Sequence, residues 1–149
     1  TALVLPNTGV ITIGDLVDSL KDIHPRLKAG VGKRLANLVL KEQYNVAALQ
    51  PYSPHFAKME INKQTAIIYT AAVGRLTSNN KEITNFQIAG KDKVFYPAQA
   101  RIEKNGNISV TSKDVPEPVA VRYCFSNAAM PNVFDVNGLP LMPFRTDRW

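Results

Sequence analysis

The 149-residue sequence contains one cysteine, one tryptophan and two histidines. A lone Cys124 cannot close an internal disulfide, so no cysteine framework holds the chain together. No apolar run approaches the roughly 18 residues that span a bilayer, and the longest, such as Ala66 to Tyr69, are strand-sized. Internal repeats and low-complexity tracts are also missing. These absences exclude a disulfide scaffold, a fibre, a disordered tail and a membrane-spanning helix. What is present is ordinary globular composition, 45% hydrophobic and 20% charged, enough to bury a core unaided. The chain opens Thr-Ala-Leu-Val-Leu-Pro, with neither an initiator methionine nor a signal-peptide pattern, and the expectation is a segment of something longer.

The net charge is +6. A basic balance can signal nucleic acid, but the distribution argues against that partner. Arg26, Lys28, Lys33, Arg34 and Lys41 are spaced along one expected helix, and the other cations are scattered among strands and turns. The pattern reads as a solvated polar surface. No metal or cofactor is expected either. One histidine among scattered aspartates does not make a zinc pattern. The loop with Asp15, Asp18 and Asp22 lacks the glycine and closing glutamate of a calcium loop. Neither a phosphate-cradling glycine loop nor a Gly-x-Ser-x-Gly elbow occurs.

The two ends of the chain read differently. Val10-Ile11-Thr12-Ile13 is a β-branched run suited to a buried strand, and a polar loop follows from Gly14 to Asp22. Pro25 suits the first position of a helix. Leu27, Val31, Leu35, Leu38 and Val39 then mark one apolar helix face, fading near Tyr44-Asn45. Strand, loop and helix make an α/β unit, whose chemistry belongs in the loop after the strand. Beyond residue 50 the signals are short strands: Met59–Ile61, Ala66–Thr70, Phe86–Ala89, Ala98–Ile102, Ile108–Thr111 and Val119–Phe125. The Asn105-Gly106 pair supplies the positive φ angles of a hairpin turn. Strands at intervals of roughly ten residues suggest an antiparallel sandwich. The segment from Ala128 to Trp149 carries enough apolar residues to be packed and irregular rather than disordered.

Of the two histidines, His55 has no evident chemical partner and reads as a structural or surface residue. His24 sits at the loop-to-helix junction with Asp22 two positions before it. A carboxylate near an imidazole can fix its tautomer and stabilise the imidazolium. The spacing alone also allows the plainer role, in which Asp22 or His24 caps the helix.

A resemblance adds to this reading. Asp22-Ile23-His24-Pro25-Arg26, with Val31-Gly32-Lys33-Arg34-Leu35-Ala36, resembles the end of the catalytic domain of the sialate O-acetylesterase family, carbohydrate esterases of the Ser-Gly-Asn-His hydrolase type. Leu5-Pro6-Asn7-Thr8-Gly9 and Asp15-Leu16-Val17-Asp18 are similar to that family upstream. Phe95-Tyr96-Pro97-Ala98, Pro118 to Tyr123 and Gly138 to Asp147 are similar to its carboxyl-terminal region. The resemblance implies an α+β chain. Residues 1–50 would be the terminal strand, loop and helix of an α/β catalytic domain, and residues 51–149 an antiparallel β-sandwich-like domain.

It also implies hydrolysis of O-acetyl esters on sugars by a Ser-His(-Asp) mechanism, with an acetylated sugar as substrate and His24 as general base. Asp22 is the residue to orient His24, with Asp18 or Asp15 folding back as alternatives. That hydrolase type carries its Asp three positions before the His, where this chain has Lys21. Ser19 lacks a Gly-Asp-Ser context, so the nucleophile and the oxyanion donors are expected outside this chain. The remainder of the catalytic domain would then be a partner, and a periplasmic or secreted setting follows from the family. The second reading is a non-catalytic β-sandwich module for carbohydrate binding or interdomain packing.

Overall fold

The computed structural model describes residues 5–21, 24 and 26–149. Strands form where apolar residues alternate and turn residues bound them. They are β1 (His55–Asn62), β2 (Thr65–Ala71), β3 (Phe86–Ala89), β4 (Phe95–Pro97), β5 (Gln99–Ile102), β6 (Ile108–Thr111), β7 (Ala120–Tyr123) and β8 (Phe144–Arg145). All pair antiparallel into two four-stranded sheets, ordered β1-β2-β6-β5 and β4-β3-β7-β8. The β5–β6 hairpin turns where Asn-Gly was expected to turn it, with Gly106 at φ 89°. A β-carbon there would be strained even though the space is open.

The inner faces of the two sheets meet in one core. Ala66, Ile68, Ile108 and Val110 come from the first sheet, and Phe86, Ile88, Val121 and Tyr123 from the second, all buried. Each large aliphatic side chain so buried contributes about 1.5–3 kcal/mol. The sandwich-like expectation fits this arrangement. Strand β4 was not expected. It lies one residue before β5 but in the other sheet, and the chain changes sheets at Ala98, whose N–H donates to the Phe86 carbonyl at 3.0 Å. Pro97 is tolerated there because β4 is an edge strand.

The amino-terminal expectations fare differently. Val10 to Ile13 joins neither sheet, and a single 3₁₀ turn, Gly14–Leu16, follows it. β-branched propensity needs a neighbouring strand to satisfy the backbone, and both sheets start at or after His55. The helix α1 (Lys28–Glu42) forms, but three residues later than Pro25 would place it. Pro25 itself lies outside the described residues. Leu38 is the one buried residue of α1; Leu35 and Val39, from the same apolar face, stay 48% and 47% exposed.

The carboxyl-terminal segment packs as expected, with Val133 and Leu141 fully buried, and it adds β8. A buried ion cluster pins it. Asp147 accepts two hydrogen bonds from Arg122, at 2.9 and 2.8 Å, and one from Arg145. The Arg122 guanidinium also stacks on Phe95, 3.8 Å from the ring centroid. Thr146 locks the same segment to Val121 by a reciprocal pair of bonds, at 3.0 and 2.9 Å. Hydrogen bonds from Arg122, and then from Arg145, outweigh burial and hold the Asp147 carboxyl at about 2.

Two predictions follow from this packing. A carboxyl depressed from its ordinary value to about 2 contributes stability above pH 4 that is lost as pH falls from about 4 to 2, roughly 2 kcal/mol in all. Asp147→Asn should cost about 2–3 kcal/mol at pH 7 and flatten that acid limb, because it strands two arginines beside a neutral amide. Urea unfolding at pH 7, 4 and 2.5 measures both, and an unchanged acid limb in the variant rejects the assignment. Secondly, Gly32 lies inside α1 with open space where a β-carbon would stand. Gly32→Ala should stabilise the chain by up to about 1 kcal/mol, whereas Gly106→Ala should destabilise it by a similar amount. Thermal melts of the two variants should shift in opposite directions.

Candidate active site

The loop ahead of α1 carries the residues singled out from the sequence. His24 is exposed on a bend, four positions before the helix begins. The N-cap position belongs to Leu27, so His24 does not cap the helix. Asp22 lies outside the described residues, and the His24–Asp22 pairing is therefore an expectation carried forward from the sequence.

The alternatives for orienting His24 are placed more closely. Asp15 is committed elsewhere. Its two carboxylate oxygens each accept from Arg34, both at 2.6 Å, and the two side chains are only 12% and 13% exposed. Arg34 also donates to the Thr12 carbonyl at 2.5 Å. Asp18 faces Arg26 at 4.0 Å on the surface. Ser19 accepts from the Lys21 backbone N–H at 3.3 Å, an ordinary loop contact. His55 is the exposed first residue of β1, paired across to Ala71, as a structural residue would be.

Arg34 is the residue that sequence reasoning misplaced. It was counted among the solvated cations of the helix, yet it is a nearly buried fork that ties α1 to the Thr12–Asp15 segment. Planar bidentate pairing of this kind fixes orientation as well as charge. The same segment is seated from both sides. A β-carbon on Gly14 would stand 3.1 Å from Pro131 of the β-rich part, and one on Gly30 would stand 3.0 Å from Leu16. Strand-free backbone is thus held in place by an ion pair and close contacts rather than by a sheet. Among the described residues, no group of three or more His, Cys, Asp or Glu side chains could hold a metal ion. The one thiol, Cys124, is buried, and burial pushes it up to about 11.

Replacing Arg34 by methionine should leave the β-rich part intact but release the segment it holds. We expect a loss of about 1–3 kcal/mol, discounted for the partial exposure of the pair. Amide hydrogen exchange should quicken at Ile13–Leu16 and in the first turns of α1, with β2, β3, β6 and β7 unchanged. Uniform protection in the variant would show that the ion pair is not what seats the segment.

Among solved structures, the chain is similar to a carbohydrate acetylesterase from Xanthomonas citri, with a TM-score of 0.82 and 33% sequence identity. The match covers 91% of this chain and 31% of that one, so the chain spans about a third of the length of its structural relative. No protein-family model and no curated protein matches the chain.

Proposed function

We propose that this chain is the carboxyl-terminal part of a carbohydrate O-acetylesterase, to which it supplies the catalytic histidine. The observation that carries the proposal is the likeness, over nine-tenths of the chain, to a carbohydrate acetylesterase about three times as long. The exposed face of α1 supports it. Leu35 and Val39 follow the helical period of a buried stripe, yet the described residues leave about half of each exposed. The remainder of an α/β catalytic domain is the partner that such a face fits.

In this reading a serine outside the chain attacks the acetyl carbonyl of a sugar ester. His24 accepts the serine proton and returns it to the departing sugar oxygen. It then accepts a proton from the water that attacks the acetyl-enzyme and passes it to the departing serine oxygen, releasing acetate. Asp22 holds the imidazole for that exchange. The substrate is an acetylated glycan, met in the periplasm or outside the cell.

The second reading is a carbohydrate-binding or packing module without catalysis. The core between the two sheets favours it, since among the described residues that core draws on none before Phe56. One experiment separates the two. In the complete protein, His24→Ala should lower acetyl-ester turnover roughly a thousandfold or more, as removal of a triad base does. The 149-residue chain by itself should release no acetate from the same ester. Unchanged turnover in the variant leaves the module reading, and robust turnover by the isolated chain overturns the placement of the serine.

A further inference from the structure

Three hollows adjoin one another along the loop from Ser78 to Thr84. The first, of about 450 Å³, opens between this loop, the Ala128–Asn132 segment and the amino-terminal loop at Asp15 and Leu20. The second, of about 390 Å³, lies against β5, and Ser78 and Lys81 line both. The third, of about 350 Å³, continues over β5 and β6 and shares Glu82, Ile83 and Arg101 with the second. Each is within the size range of a small-ligand site. We infer that together they form a binding track for an oligosaccharide, running from beside the His24 loop across the first sheet. The inference deepens the esterase reading and rests on it for the choice of a sugar as occupant.

The lining suits a hydroxyl-rich chain. Asn79, Lys81 and Thr84 offer donors and acceptors in the first hollow, and Phe134 and Met130 offer apolar surface for the C–H face of a pyranose. Gln99, Glu103 and Thr111 continue the polar lining in the third. The free charges also balance. Lys81 and Arg101 line the hollows together with Glu82 and Glu103, two cations to two carboxylates, while Asp15 is already neutralised by Arg34. A lining without net charge favours a neutral glycan over an acidic one.

The track is built rather than incidental. The Asn132 amide donates to the Glu82 carbonyl at 2.7 Å and accepts from the Thr84 N–H at 3.2 Å. The Asn85 amide donates to the Met130 carbonyl at 2.8 Å. Thr77 and Phe134 exchange two backbone bonds, both at 2.8 Å. Tyr123, from the core, accepts from the Asn132 and Val133 N–H groups at 3.1 and 3.3 Å. Asn79, Asn80 and Asn85 all take left-handed φ angles, which asparagine tolerates better than most residues. A loop stapled in this way loses little further entropy on binding.

Isothermal titration and amide NMR of the 149-residue chain with xylose, xylotriose and xylohexaose test the track. Affinity should rise at least tenfold from monosaccharide to hexasaccharide, with shifts at residues 78–84, 99–103 and 130–132. Lys81→Met and Glu103→Gln, at separate points along the track, should each weaken xylohexaose at least fivefold while the melting temperature holds. Absence of binding, affinity independent of chain length, shifts confined to one hollow, or tighter binding of hexagalacturonate than of xylohexaose would each overturn the proposal. None of these readouts involves ester cleavage, so the track can fail while the role of His24 stands, and the reverse.

Discussion

The contact on which the rest depends is the aromatic bridge between the two sheets. Phe56 on β1 and Phe144 on β8 stack with centroids 5.0 Å apart, although the two strands belong to different sheets. Phe144 in turn meets Tyr123 at 6.0 Å and Phe86 at 6.1 Å, and Phe86 lies 4.5 Å from Tyr123. Four rings therefore join an edge of the first sheet to the middle of the second. Such contacts add directional preference to a large burial of apolar area. The residues just after Phe144 are in turn fixed by Asp147 and its two arginines. Tyr123 passes the order outward, since its phenol oxygen fixes the Asn132–Val133 backbone and, through Asn132, the loop that borders the hollows.

Much of this half of the fold was legible in the sequence because its signals are local. Alternation of apolar residues on both arms, with Asn-Gly between, is sufficient to specify the β5–β6 hairpin. The strands at Phe86 and Val119 carry similar patterns. Strand β4 escaped notice because Phe95-Tyr96-Pro97 runs almost directly into β5. Only the three-dimensional crossing at Ala98 separates them, and no local signal marks that. The part played by residues 143–147 was likewise open, since an Arg–Asp pair spanning 25 positions leaves no spacing rule to read.

At the amino-terminal end the failures share one physical cause. Val10 to Ile13 has the composition of a strand, but propensity describes what a segment tolerates, not what it pairs with. Arg34 lies on a helix rich in cations, and nothing nearby indicates that Asp15, 19 positions earlier, will bury it. For His24 the sequence context supplies only a candidate, and the geometry takes Asp15 out of the residues that would orient it. For Val10 to Ile13 and for Arg34 alike, what decides the outcome is distant in sequence, which periodicity and composition do not report.

The uneven burial of α1 follows from the same consideration. Two glycines in its first turns cost about 1 kcal/mol each relative to alanine, and its N-cap provides no side-chain bond. Against that stand one buried leucine and one bidentate ion pair, so the helix is weakly supported within this chain. Leu35 and Val39 are already about half buried, so covering the rest would add about half of the 1.5–3 kcal/mol of full burial apiece, roughly 1–1.5 kcal/mol each, together comparable to the whole intrinsic cost. Under the proposed function, the surface that covers α1 would therefore also fix the bend that carries His24 just ahead of it. Docking of the catalytic remainder and positioning of its general base would then be a single event, with the Arg34 fork transmitting the constraint from the helix to the loop. The β-rich part has no such dependence, because its aromatic bridge and its ion cluster are complete within residues 55–149.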